Sequence, residues 1–274
     1  MGVYAAELFF ERRPTLTRAA FVEAVRRFSP TVELLGGDKA EGPLAVLHND
    51  YPVTYSDGPV LPAQTVFLLT DKDPSLDALE SALQQAWDFP DAREIVSRAT
   101  SCGLLTDLMA GPLSPVDRLS AFQRTLDGLL TLVQPLAIHW QASDRLVEPR
   151  QYTAGGPRKY PDPQAGPINV RLFRIENAAG DTGDVVMDSR GLDVFGLPDV
   201  QCHFRGLEAG PMAGLLYGIA AYLIEKGDVI ENGHTVEGLD GQKWRCQHEA
   251  ALVGPDRVVL DINPGAPHAA GNRA

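Results

Sequence analysis

The chain has 274 residues, of which 44% are hydrophobic and 22% charged. That is enough to bury a sizeable core in one large or two small domains, and too balanced for wholesale disorder. The formal net charge is −12, from 36 acidic and 24 basic residues; it argues against a nucleic-acid surface, which needs clustered Lys and Arg, and suits a cationic protein partner.

In chain order, Val3–Phe10 alternates as a strand. Phe21, Val22, Val25 and Phe28 share one face of a helix capped by Thr15 or Thr17. Short strands are predicted near Thr31–Leu35 and Leu44–Asn49, with a Gly-rich turn at 36–42 between them. Three prolines and a Ser-Asp-Gly turn make Tyr51–Pro62 read as a loop. Gln64–Thr70 is a strand. A helix starting at Asp73 carries Leu76, Leu79, Leu83 and Trp87, and Ile95–Thr100 reads as a further strand. Ser114 followed by Pro115 starts a helix that runs to about Val133. Leu136–Gln141 is the next strand. The loosely repeated βαβ-like spacing predicts an α/β-type subdomain over residues 1–149.

Residues 150–167, rich in Gly, Pro and basic residues, read as a linker or long loop. A second, α+β subdomain is expected over 168–263. It has strands at Asn169–Glu176, Asp184–Asp188, Leu197–Phe204 and Arg257–Ile262, a hairpin turn at 177–183, and a helix from Gly210 to Lys226 ended by Gly227. Residues 264–274 read as a disordered tail. The expected fold class is α+β: mixed, largely antiparallel sheets with helices packed on one face, in two subdomains. Cys102, Cys202 and Cys246, odd in number and sparse, fit a reducing, cytoplasmic setting, and no run of about 18 apolar residues suggests a membrane span.

Titratable residues crowd between Asp188 and His248. Cys202, His203, Cys246 and His248 offer zinc-type ligands. However, adjacent Cys202 and His203 point to opposite faces of a strand, which leaves Cys246 and His248 as the weak metal candidates; no metal or cofactor is expected. Asp199, His203 and His234 are weak catalytic candidates, with no Gly-x-Ser-x-Gly elbow beside them. Asn232-Gly233 is a two-residue hairpin signal, with Asp228 and Thr235 as side-chain supports. On the strand at 136–141, His139 and Trp140 are candidates for lining a cleft.

The motifs Gly196-Leu197-Pro198-Asp199, Gly227-Asp228 leading to Gly233-His234-Thr235, and the segment around Trp244 resemble a bacterial domain family of unknown function, number 4261. The resemblance extends to residues 3–262. It implies no activity and no catalytic residue. The setting of such families beside toxin or secretion genes implies an immunity or adaptor role, for example in type VI secretion. The expectation is therefore a cytoplasmic protein-binding module for a cationic toxin or effector. Asp188, Gly196, Pro198, Asp199, His203, Asp228, Asn232, Gly233, His234, Thr235, Trp244, His139 and Trp140 are its contact candidates. The alternatives are a hydrolase-like enzyme using His203, His234 and Asp199, or a homo-oligomeric structural subunit.

Overall fold

The computed structural model describes residues 2–36, 42–54, 58–154, 159–175 and 183–271. The expected turns at 36–42 and 177–183 fall largely outside these. The chain divides into two compact units, Met1–Pro167 and Ile168–Ala274. Both are α+β, built on largely antiparallel sheets.

In the first unit, strands β1 (Ala5–Phe10), β2 (Val32–Leu34), β3 (Leu44–Thr54), β4 (Val60–Thr70), β5 (Ser101–Leu108), β6 (Ala137–Trp140) and β7 (Arg145–Val147) form one sheet. The order is β2-β3-β4-β5-β1-β6-β7, and every pairing between these strands is antiparallel. The βαβ-like spacing is met only in split form: β1 and β2, and likewise β5 and β6, are separated in sequence by a helix and run in the same direction, but other strands lie between them in the sheet, while β2-β3, β3-β4 and β6-β7 pair directly with their chain neighbours.

Helix α1 (Arg18–Arg26) is capped by the Thr17 hydroxyl and packs beside α4 (Pro115–Leu130), capped by Ser114. Their sheet face holds Tyr4, Phe122 and Trp140 in ring contact. Beneath this cluster lies a buried ion pair between Arg118 and Asp107, whose carboxylate also takes the Tyr4 N–H at 2.9 Å. Helices α2 (Glu80–Gln84) and α3 (Ala92–Ser97) lie on the opposite face, over Phe9, Ala137 and Leu146. So helices occupy both faces here, and the one-face arrangement describes only the second unit.

Four further expectations change in the first unit. Ile95–Thr100 is not a strand: Ala92 and Val96, four residues apart, are buried on one side of α3, and strand alternation starts at Ser101. Most of the span expected as a loop, Tyr51–Pro62, is strand: β3 reaches Thr54 and β4 starts at Val60. Pro52 pairs with Pro62 beyond a register shift after His48, and such irregularities tolerate proline. The helix from Asp73 is reduced to turns before Glu80, and Trp87 is exposed. Finally, the described part of 150–167 is folded. Helix α5 (Pro149–Thr153) buries Tyr152, the Asp162 N–H bonds the buried Gln123 side chain at 2.8 Å, and Gly166 approaches Trp140 so closely that a Cβ would overlap the indole.

In the second unit, β8 (Asn169–Ile175), β9 (Asp184–Arg190), β10 (Asp199–Arg205), β11 (Thr235–Glu237), β12 (Lys243–Ala250) and β13 (Val258–Asn263) are ordered β11-β12-β13-β10-β9-β8. Only β10 with β13 is parallel. Strand register places Met187, Cys202, Ile262 and Cys246 in one apolar row. Over this face lies α6 (Ala209–Lys226), which buries Met212, Leu216, Ile219, Ala220, Leu223 and Ile224. The described tail residues are not disordered. Strand β10 extends past its pairing with β13, and residues 268–270 bond to its free end: the Arg205 N–H to the His268 carbonyl at 2.9 Å, and Ala269 bridging Phe204.

Candidate functional site

The sheet face of the second unit opposite α6 is polar yet buried. Asp188 accepts from Arg171 Nε at 2.9 Å and Nη2 at 2.5 Å, and from Arg257 Nη2 at 2.6 Å. Arg257 Nε also donates to Asp199 Oδ2 at 2.9 Å, while the Leu192 N–H and Ser189 hydroxyl bond Asp199 Oδ1. Burial pushes the Asp199 carboxyl up to about 6, against the pull of Arg257 and the Leu192 N–H. Two fully buried carboxylates with two arginines make a closed network that ties β8, β9, β10 and the 253–257 turn together, since Arg171 and Arg257 also bond the carbonyls of Gly254, Val253 and Pro255. Asp188 and Asp199 are therefore engaged within the sheet by Arg171, Arg257, Ser189 and the Leu192 N–H. Gly196 closes a 3-10 turn with φ +75, and Pro198 is buried beside it.

The catalytic candidates do not converge. His203 is nearly buried, 3.9 Å from Asp184, with Gly271 against its ring. His234 stands exposed at the start of β11, accepting the Glu231 N–H. Strands β12 and β13 separate it from β10, about 14 Å at the usual strand spacing. Asn232-Gly233 is a tight turn, but not the expected hairpin: positive φ occurs at Gly233 alone, and β11 and β12 are joined by 238–242. Asp228 supports it through His248 at 3.4 Å, and Asn232 Oδ1 accepts the His248 N–H at 2.7 Å; Thr235 is exposed. Cys246 is buried in the apolar row, its thiol pushed up by burial to about 11, and among the described residues no His/Cys/Asp/Glu group could hold a metal ion. Trp244 is buried against Gly238, and Trp140 lies in the core of the first unit.

His139 is different. It projects from the opposite face of β6 to Trp140, and register sets Leu104, Glu7 and His139 side by side across β5, β1 and β6. His139 Nδ1 meets Glu7 Oε2 at 3.1 Å, and Nε2 meets Asp144 Oδ1 at 3.2 Å. Burial opposes a charged ring, but the hydrogen bonds to Asp144 and Glu7 outweigh it and raise the His139 pKa above its ordinary value. Those same contacts, with Gln141, lower that of Glu7. The ring is thus held between two carboxylates, an arrangement that favours its charged form and disfavours a role as a base. Cys102, nearby, is a poor nucleophile: burial and then the Glu7 charge push its thiol up to about 11.

Glu7 and His139 line a cavity of about 340 Å³ together with Phe9, Cys102 and Leu104 from the sheet and residues 72–75, 78 and 79. Beyond Leu104 the same sheet face continues over β5, β4 and β3, and no helix of the described residues lies on it. In β5 the residues at 101, 103, 105 and 107 are buried, while Leu104, Thr106 and Leu108 on the other side are partly or fully exposed, and β4 matches with Gln64, Val66 and Leu68. Leu68 is 43% and Leu108 44% exposed.

Sequence reasoning missed Glu7, Asp144 and this face. An acid interrupting the apolar run Tyr4–Phe10 was the available signal, because a strand so deeply buried keeps a carboxylate only when it is paired.

The fold defines a two-unit α+β protein whose organised polar clusters are structural in the second unit and cavity-lining in the first. Residues 188–263 match the family described as Domain of unknown function (DUF4261). The match spans the end of β9 through β13 and includes Asp188, Asp199 and Arg257, but not Arg171; it is shorter than the 3–262 over which the resemblance was expected. No curated protein and no solved structure matches the chain.

Proposed function

We propose that this chain is a protein-binding module that takes a basic partner on the uncovered face of β3–β5. The observation carrying this reading is that Leu68 and Leu108 are exposed, with Leu104 and Val66 partly exposed between them, on a sheet face over which no helix of the described residues lies, in a chain of net charge −12. Exposed apolar surface on a folded domain marks an interaction site, and a net negative charge speeds encounter with a cationic partner. The finer setting proposed is an immunity or adaptor protein in the cytoplasm, neutralising or escorting a cationic toxin or effector, as in type VI secretion.

The test is a titration of the purified protein against the product of the adjacent gene, with co-expression to measure rescue from toxicity. Binding that weakens with salt, together with rescue, supports the reading. No binding and no rescue removes it. Self-association in light scattering that is lost in Leu68→Lys would replace the partner with a second copy.

A further inference from the structure

A larger hollow of the first unit lies between the end of α4, the residues that follow β1, and α5. It measures about 680 Å³, well inside the range of roughly 300 to 1,000 Å³ found for small-molecule sites. Val133 and Pro135, both buried, and Leu130 and Leu136, both half-buried, give it apolar walls. Three charged residues line it: Glu11, Arg12 and Arg150. Glu11 already accepts from Arg98 at 3.3 Å. Arg12 and Arg150 are exposed, and among the described residues neither guanidinium makes a hydrogen bond or an ion pair. Two arginines against one glutamate leave the lining itself with a net charge of +1, in a chain whose net charge is −12. The C-terminal end of α4 opposes an anion here, but with only about half a charge, and that effect fades within the last turn. The two guanidinium groups outweigh it.

We infer that this hollow binds a small organic anion, a carboxylate or phosphate carried on an apolar body. The oxyanion sits on Arg12 and Arg150, and the body lies against Leu130, Val133 and Leu136. The planar guanidinium fork matches both oxyanions, and its hydrogen bonds to a charged acceptor are stronger than those between neutral groups. The walls add what a bare inorganic ion cannot use, since burying an apolar body removes its surface from water. The site stands apart from the partner-binding reading: none of its lining residues belongs to β3, β4 or β5.

The experiment titrates the full chain with 1-naphthoate, 1-naphthyl phosphate, the neutral 1-naphthalenemethanol and inorganic phosphate, following the methyl NMR signals of Leu130, Val133 and Leu136. Saturable shifts are expected with naphthoate or naphthyl phosphate, and the tighter of the two identifies the oxyanion. The neutral alcohol and inorganic phosphate should each bind at least about tenfold more weakly. Arg12→Gln/Arg150→Gln alters two exposed side chains, so it should melt like the wild type and bind at least about tenfold more weakly. Glu11→Gln removes the acid of the lining and should bind at least as tightly as the wild type. The inference is overturned if neither anion gives saturable shifts, or if the alcohol or inorganic phosphate binds as tightly as the anions. Unchanged affinity in the double arginine variant, weaker binding in Glu11→Gln, or shifts at the Leu68 and Leu108 methyls in place of these three residues would overturn it equally.

Discussion

Glu7 on β1 and His139 on β6 are direct partners in the antiparallel ladder, and their side chains meet at 3.1 Å beside a cavity of about 340 Å³. With Asp144 on the other ring nitrogen, both carboxylates favour the charged imidazole. NMR titration should place the His139 pKa above about 6.5, and Asp144→Asn or Glu7→Gln should lower it.

The stability consequence has a definite sign. A folded-state pKa raised above the unfolded value stabilises the fold fully below about pH 6.5, and that stabilisation is lost as pH rises through the folded value. The difference in denaturation free energy between the wild type and Glu7→Gln should be about 1–3 kcal/mol near pH 6 and should shrink at alkaline pH. A difference that grows with pH would contradict the charged ring.

His48 works in the opposite direction. Buried beside Thr65 (2.8 Å) and Thr125 (3.4 Å), it has its pKa pushed down by burial to about 4. The native state binds fewer protons than the unfolded state between about pH 6.5 and 4, so stability falls as pH falls through that window, by up to about 3 kcal/mol. His48→Asn should flatten this slope in urea titrations from pH 7 to 4.

Arg257 spans Asp199 and Asp188 at 2.9 and 2.6 Å. Arg257→Met removes the charge that faces Asp199 and should cost about 3–5 kcal/mol in chemical denaturation of the second unit, because it strands a buried carboxylate. Lys at this position cannot span both acids with a planar fork, so Arg257→Lys should recover little.

At Gly166, φ is +123 and a Cβ would lie 2.0 Å from Trp140 Nε1. Gly166→Ala should destabilise the first unit by about 2 kcal/mol or more and shift the Trp140 fluorescence. An unchanged melt would mean that 159–167 is not packed as part of this unit.

Much of this fold was legible where one physical signal dominated. Ser114-Pro115 started α4, Gly227 ended α6, and the alternation in Val3–Phe10 marked β1. Legibility failed where tertiary contacts overrode local chemistry. Pro52 and Pro62 pair across a bulge that the sequence reads as a loop, and α3 is too short for its period to be distinguished from a strand. Asp188 and Asp199 stand out in the sequence because titratable residues crowd their stretch, but Arg171 and Arg257, 17 and 58 residues away from them, bind them into the sheet. The cavity was invisible because Glu7, Leu104 and His139 become neighbours only through strand order.

The central claim is that the β3–β5 face carries the partner, and calorimetric titration of the purified neighbouring-gene product into the wild type and into Leu68→Lys/Leu108→Lys tests it most directly. Both leucines are already half-exposed, so the double variant should fold like the wild type. Saturable binding to the wild type, weakened at least about a hundredfold in the variant, is the predicted result. Equal affinity for both proteins, with the variant's melt unchanged, would contradict it.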